Sequence, residues 1–542
     1  MHTRGSADSA QTDTTGDQRL DRLIAALRRP ERYAHAVQEV ELLQTHISCV
    51  LLAGDYAYKI KKPVNLGFLD FSTLEARRHY CEEELRLNRR TAPGLYLEVI
   101  AIGGSAAAPV LAGGGPAIEY ALKMRRFAQD ALLERMAQRG ELTPRHIDAL
   151  ACSLAAFHAR IERADAYGAF GSRERILAQA LQNFDQITAL AGGAKAELAL
   201  LARLRDWTLN AHAQLAAVFD ARKRAGWVRE CHGDLHLGNI ALQEGAPVAF
   251  DCIEFSEDLR WSDVMSEVAF LMMDLIDHCL PRLAFRFLNA YLELSGDYAG
   301  VRVLRYYLVY RALVRAKVSC LRAHQAGMAA LTGRDLEHEY RRHLYLAEQL
   351  AVPGHAAMLI MHGLSGSGKS TIAQGLEEAL GAVRLRSDVE RKRLHGLAPL
   401  ARPGAGLDEG MYAPGASELT YARLAGLARA VLAARYPVIV DAAFLKRSQR
   451  ARFAELARDT GASFLIAACA ASPAALRARV ALRARAASDA SDAGLEVLQR
   501  QLATREAIAE DEAAYTLTLD AERRSGSAEA AAVAKRLRLD PP

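Results

Sequence analysis

The segment Gly363-Leu364-Ser365-Gly366-Ser367-Gly368-Lys369-Ser370 satisfies GxxxxGK[ST] at every fixed position. An apolar run over residues 357–361 precedes it and a helical stretch starts at Thr371, the context that the pattern requires. Gly366 and Gly368 permit a tight turn in which backbone N–H groups converge on phosphate oxygens, at a helix N-terminus whose dipole favours an anion. Lys369 adds positive charge beside the β- and γ-phosphates, and the Ser370 hydroxyl can ligate Mg²⁺. The loop from Gly363 through Ser365 and Ser367 to Thr371 is therefore expected to bind a nucleotide. A second strand-like run ends in Arg386-Ser387-Asp388, with Asp388 and Arg391 one helical turn apart. At the end of a parallel strand such an Asp can take the proton of an attacking hydroxyl, and the Arg can hold a substrate anion. A solvated helix start is the other reading of that pair. Asp441 closes the apolar run 437–440, where a carboxylate can polarise Mg²⁺-bound water. Arg477, Arg479, Arg483 and Arg485 share a helical stretch before the Ser-, Asp- and Ala-rich segment 486–494. They suit either a lid that brings Arg479 and Arg483 onto a transferring phosphate or a solvated basic face.

A second constellation lies in the first half, His232-Gly233-Asp234-Leu235-His236-Leu237-Gly238-Asn239. Asp234 and Asn239 stand five residues apart, and Asp251 follows an apolar strand twelve residues beyond Asn239. This is the layout of a protein-kinase-like site, where the first Asp orients the attacking hydroxyl and the Asn and second Asp hold Mg²⁺. The string resembles the HGDxHxxN motif of aminoglycoside phosphotransferases, and the resemblance covers about residues 40–330. It implies Asp234 as catalytic base, Asn239 and Asp251 as metal ligands, His232 as a structural support, and Asp263 as the family's later buried Asp. It also requires a strand lysine and a helix glutamate. Ala57-Tyr58-Lys59 resembles the A-x-K of that strand, which implies Lys59 as the ligand of the α- and β-phosphates, with Glu84 as its partner. Lys61, on the same strand face, and Glu83 remain alternatives. The chain departs from the wider kinase pattern in two respects. The segment 61–71 is unusual after such a lysine and suits docking of the second domain instead. No GxGxxG precedes this strand, so a different turn must cover the nucleotide.

Residues of about 356–522 resemble the small P-loop kinases: gluconate kinase, chloramphenicol phosphotransferase, the zeta toxins and the polynucleotide 5′-kinase domain. The Asp388-x-x-Arg391 string is most similar to the last of these. Taken whole, the chain resembles bifunctional proteins in which an aminoglycoside phosphotransferase-like domain is fused to an ATP-binding P-loop domain. The resemblance implies ATP and Mg²⁺ as cofactors and phosphate transfer to a hydroxyl of a small molecule or a nucleic-acid end. Two alternatives stand beside it: a nucleotide-sensing regulatory protein with one pseudokinase half, and a nucleic-acid 5′-end kinase.

The elements that must position these residues follow from periodicity. With 542 residues the chain is too long for one core. We expect a disordered tail over 1–20, a kinase-like α+β domain over 21–350, an α/β P-loop domain with a parallel sheet over 355–525, and a terminal helix or tail over 526–542. In the first domain, Arg19–Leu43 reads as helical and the runs 47–52 and 56–60 as a hairpin around Gly54-Asp55. Leu74–Arg90 reads as a charged helix, Gly103–Gly115 as a loop, and 144–218 and 263–350 as helical. In the second domain five short apolar runs alternate with helices. Eight singly scattered cysteines, a net charge of +5 and the lack of a long apolar run give the expectation of a cytoplasmic protein without a membrane span.

Overall fold

The structure, a computed structural model, describes residues 9–45, 47–65, 69–190, 195–326, 331–399, 401, 415–486, 494–522 and 527–540. Side chains are described for these except 9–17, 325–326, 331–333 and 483–486. The chain forms two compact units, one of residues 1–142, 160–171 and 226–267, the other of 143–159, 172–225 and 268–542.

The first unit is built on a six-stranded antiparallel sheet of β1 (Val40–Gln44), β2 (Ser48–Ala53), β3 (Tyr56–Lys61), β4 (Tyr96–Ser105), β5 (Ala108–Leu111) and β6 (Glu119–Arg125), ordered β1-β2-β3-β6-β4-β5. Strand alternation divides β3. Tyr58 and Ile60 enter an apolar core with Leu20, Leu23, Ile24 and Leu27 of helix Ser9–Leu27, so Lys59 and Lys61 face the other way, towards helix Leu74–Asn88. The β2–β3 turn is the expected two-residue one: Gly54 takes φ +56, and a Cβ there would stand 2.7 Å from Ala36 O. The remaining strands are β7 (Val228–Glu230), β8 (Ile240–Gln243), β9 (Ala246–Ala249) and β10 (Trp261–Asp263), paired antiparallel as β8–β9 and β7–β10.

Three local expectations are corrected. Helix Ser9–Leu27 begins inside the stretch read as a disordered tail, because its apolar residues recur at helical spacing and bury against the sheet. It ends before Pro30, and residues 40–44 are an edge strand rather than a continuation of a helix to Leu43. Gly103–Gly115 is not a plain loop: β4 and β5 pair through it from Ile102↔Leu111 to Ser105↔Ala108, with Gly104 at φ +79 near the turn.

In the second unit, helices including Arg173–Leu190, Lys195–Arg224, Val264–Asp277, Pro281–Ser295, Val301–Ala326 and Leu331–Ala351 accompany a five-stranded sheet. Its strands are β11 (Ala357–His362), β12 (Val383–Arg386), β13 (Val438–Asp441), β14 (Ser463–Ala470) and β15 (Thr516–Asp520), ordered β12-β13-β11-β14-β15. All four pairings are parallel. The runs 358–361 of β11 and 438–440 of β13 are fully buried, as flanking helices on both faces require, whereas those of β14 and of the edge strand β15 are buried only in part. Among the described residues no helix is long and apolar enough to cross a membrane.

Candidate functional site

In the first unit, β3 carries Lys59 and Lys61, helix Leu74–Asn88 carries Glu84, and the segment after β9 carries Asp251 and Glu254. Lys59 Nζ donates to Glu84 Oε1 at 2.7 Å and to Asp251 Oδ1 at 2.6 Å. Lys61 Nζ donates to Glu84 Oε2 at 2.7 Å and to Glu254 Oε1. The geometry thus places Lys59, not Lys61, against Asp251, and pairs both lysines with Glu84. Glu83 instead pairs with Arg86 on the outer side of the helix. Burial acts to raise the Glu84 carboxyl, but the Lys59 and Lys61 ammonium groups outweigh it and hold it down at about 2. Glu254 is raised, because burial outweighs Lys61 there. Glu254 was not expected from the sequence; its only signal is an acidic residue between the apolar Ile253 and Phe255.

Asp251 occupies the left-handed region at φ +64, which a non-glycine residue holds only when its surroundings determine it. Those surroundings are specific. Its N–H donates to the Tyr96 hydroxyl at 3.0 Å, and the next N–H, of Cys252, donates to Asn88 Oδ1 at 2.9 Å. Asn239 Nδ2 donates to Asp234 O at 3.0 Å and to Asp234 Oδ2 at 3.1 Å. The buried His232 ring meets Phe250 O through Nε2 at 2.9 Å, and its pKa is lowered by burial, which favours the neutral ring. Gly233 N donates to Glu267 Oε1 at 2.8 Å, and Asp263 is buried and accepts from Met265 N at 2.9 Å. The residues of the segment 232–239 are thereby fixed to neighbouring segments. The turn between β1 and β2 is only three residues, with the Thr45 hydroxyl accepting from Ser48 N at 3.0 Å; His46 lies outside the described residues.

In the second unit, the loop from Gly363 to Gly368 links β11 to helix Lys369–Leu380. Gly366 and Gly368 take φ +83 and +82, and a Cβ on Gly366 would stand 2.8 Å from Leu476 O. Glycine is therefore required twice over at Gly366, by conformation and by space. Lys369 Nζ lies 3.4 Å from Leu364 O, folded back over its own loop. Ser370 is half-buried and Thr371 exposed at the helix start, and the Ser367 hydroxyl is buried without a partner. Ser365 N donates to Gln501 Oε1 at 2.8 Å, a contact from a helix distant in sequence that was not anticipated. Arg479 donates to Gly366 O at 3.5 Å and Ala521 O at 2.8 Å, so it braces the loop; the Arg483 side chain lies outside the described residues.

Asp441 ends β13, directly opposite Arg386 of β12 in the register, and is 4% exposed. Neither of its carboxylate oxygens has a hydrogen-bond partner, and the nearest cationic contact is Arg386 Nε at 4.0 Å. A buried carboxylate left so is costly unless a cation completes it, so the Asp441 oxygens fit a Mg²⁺ ligand. In the first unit the fit is similar. Asn239 commits its amide nitrogen to Asp234 and Asp251 commits Oδ1 to Lys59, which leaves Asn239 Oδ1 and Asp251 Oδ2 for a cation. Asp388 and Arg391 are half-buried on helix Ser387–Leu394, which β12 leads into.

Two phosphotransfer folds are thus joined in one chain. Residues 97–304 match the Phosphotransferase enzyme family and residues 358–508 match the AAA domain family, the latter over the P-loop region. The chain belongs to the same family as protein Rv2004c of Mycobacterium tuberculosis, to which it is 31% identical over 468 residues, covering 84% of this chain and 90% of that one. Among solved structures, an ethanolamine kinase of Plasmodium vivax aligns at 10% identity and TM-score 0.38, covering 63% of this chain and 95% of its own. A gluconokinase from Sinorhizobium meliloti 1021 aligns at 23% identity and TM-score 0.23, covering 34% of this chain and 90% of its own.

Proposed function

We propose that the chain is a Mg·ATP-dependent phosphotransferase with two nucleotide sites, each passing a γ-phosphate to a hydroxyl of its own acceptor, a small molecule or a nucleic-acid end. The observation that carries this reading is Lys59, held between Glu84 and Asp251 while Asn239 holds Asp234. Mg·ATP supplies the transferable phosphoryl group and the charge that neutralises its oxygens. In the first site Lys59 binds phosphate oxygens, Asn239 and Asp251 hold the cation, and Asp234 Oδ1 receives the proton of the acceptor hydroxyl while Oδ2 stays on Asn239. In the second, the loop N–H groups and Lys369 bind the phosphates, Ser370 and Asp441 hold the cation, Asp388 is the base, and Arg391 binds the acceptor. Arg479 keeps the loop in shape.

The test is ATP turnover by the full chain against a panel of hydroxyl acceptors, comparing Asp234→Ala with Asp388→Asn. Each productive acceptor should lose about 10²–10⁴-fold in turnover with one variant and keep it with the other. Acceptor-dependent turnover that neither variant reduces would refute the assignment of both bases.

A further inference from the structure

Strand β12 is an edge of the parallel sheet, and an edge strand presents unpaired N–H and C=O groups. Here a side chain closes it. Asn289, 3% exposed on helix Pro281–Ser295, donates Nδ2 to Ala382 O at 2.8 Å and accepts at Oδ1 from Arg384 N at 2.7 Å. The C=O of one residue and the N–H two residues on are the pair that a further strand would engage, so one amide stands in for a strand.

The same helix reaches both ends of helix Ser387–Leu394, which carries Asp388 and Arg391. Arg386, at its N-cap, donates to Glu293 Oε1 at 2.8 Å. Arg393, in its last turn, donates to the Glu293 main-chain oxygen. Arg384 Nη2 lies 3.6 Å from Glu293 Oε2. Gly296, at φ +75, caps the docking helix against Arg393: a Cβ there would stand 2.8 Å from Arg393 Nε. Two turns before Glu293, Arg286 donates to Glu378 Oε1 at 2.6 Å, on the helix that begins at Lys369. Three guanidinium groups of β12 and the following helix thus converge on one glutamate, and the helix carrying that glutamate lies within the region that matches the Phosphotransferase enzyme family.

We propose that helix Pro281–Ser295 positions the second phosphotransfer site, with Asn289 and Glu293 as its positioning residues. They hold β12 and helix Ser387–Leu394 so that Asp388 and Arg391 keep their placement relative to the phosphate loop and Asp441. The second site is therefore complete only together with a helix from the region that matches the Phosphotransferase enzyme family. This rests on Asp388 and Arg391 being the acceptor-side pair.

The experiment uses the full chain at saturating Mg²⁺ with water as the acceptor. It reads the part of ATP hydrolysis that Lys369→Ala removes, together with hydrogen exchange over residues 384–394. Asn289→Leu and Glu293→Ala should each speed exchange in that segment by about 10-fold. They should also lower kcat by about 10²-fold while KM for ATP stays within about twofold, because the base is misplaced and the phosphate loop is not. Glu293→Gln, which keeps a hydrogen-bond acceptor for Arg386, should recover most of kcat. Unchanged exchange overturns the clamp, and unchanged kcat with faster exchange overturns its role in positioning. Parallel loss of kcat and ATP affinity, not rescued by Glu293→Gln, shows general unfolding and overturns it too. A parent chain without Lys369-dependent hydrolysis removes instead the reading of the site on which the proposal stands.

Discussion

Replacing Glu84 by Gln removes the central charge from a run of four ion pairs, Asp251–Lys59–Glu84–Lys61–Glu254. Glu84 is fully buried, so its charge is tolerated only because two ammonium groups face it. Its carboxyl falls from 4.5 to about 2 on folding, a difference that corresponds to about 3 kcal/mol of stability at neutral pH. Because this pKa is depressed, the contribution is present above about pH 4.5 and is lost as pH falls towards 2. Glu254, raised by burial and also by the Glu84 charge beside it, acts in the opposite sense; loss of Glu84 relieves that part of its shift and makes the difference between the two proteins smaller, not larger. Glu84→Gln leaves Lys59 with Asp251 and Lys61 with Glu254, so the cost should stay at about 3 kcal/mol rather than the larger penalty of an orphaned buried charge. Urea unfolding of both chains, followed by hydrogen exchange in β3 and helix Leu74–Asn88, measures it from about pH 7 to about pH 3. The gap should narrow steadily below about pH 4.5. A gap that does not change with pH, or is below about 0.5 kcal/mol at pH 7, would refute the argument that Glu84 is ionised and held by both lysines.

The two carboxylates of the first site should separate in binding: Asp234→Ala keeps Mg·ATP affinity, whereas Asp251→Ala weakens it only when Mg²⁺ is present, as titration with and without the metal will show. In the second unit, burial pushes the Glu377 carboxyl up to about 8, and Arg384, with Nε at 2.8 Å, only partly offsets it. The folded state therefore retains this proton and stability falls as pH rises from about 4.5 to 8; Glu377→Gln should abolish that fall and gain about 3 kcal/mol at pH 7, and a melting temperature with the same pH slope in both proteins would count against it.

Much of the second half was legible because its physics is local. Five apolar runs with helices between them admit little but a parallel sheet, and a glycine loop after the first run sets the phosphate site. Lys59 was legible only through its resemblance to the A-x-K strand and Glu84 through helical spacing; strand alternation left Lys61 on the same face, and separating the two lysines needed Asp251, brought near from 192 residues away. What sequence did not reveal depends on such distant pairing. Glu254 meets Lys61 across 193 residues, and Gln501 meets the Ser365 N–H across 136. Asn289 reads as an ordinary polar residue on an amphipathic helix; only the position of β12 shows that its amide caps an edge. The β4–β5 hairpin was missed because glycines that ease its turn dilute the alternation that marks a strand.

The central claim is that one chain holds two separate Mg·ATP sites, and binding stoichiometry tests it most directly. Calorimetric titration of the full chain with Mg²⁺ and a non-hydrolysable ATP analogue should give two equivalents bound. Lys369→Ala should remove one, Lys59→Met the other, and the double substitution both. A single equivalent that survives either substitution alone, or two that survive both together, would contradict the account.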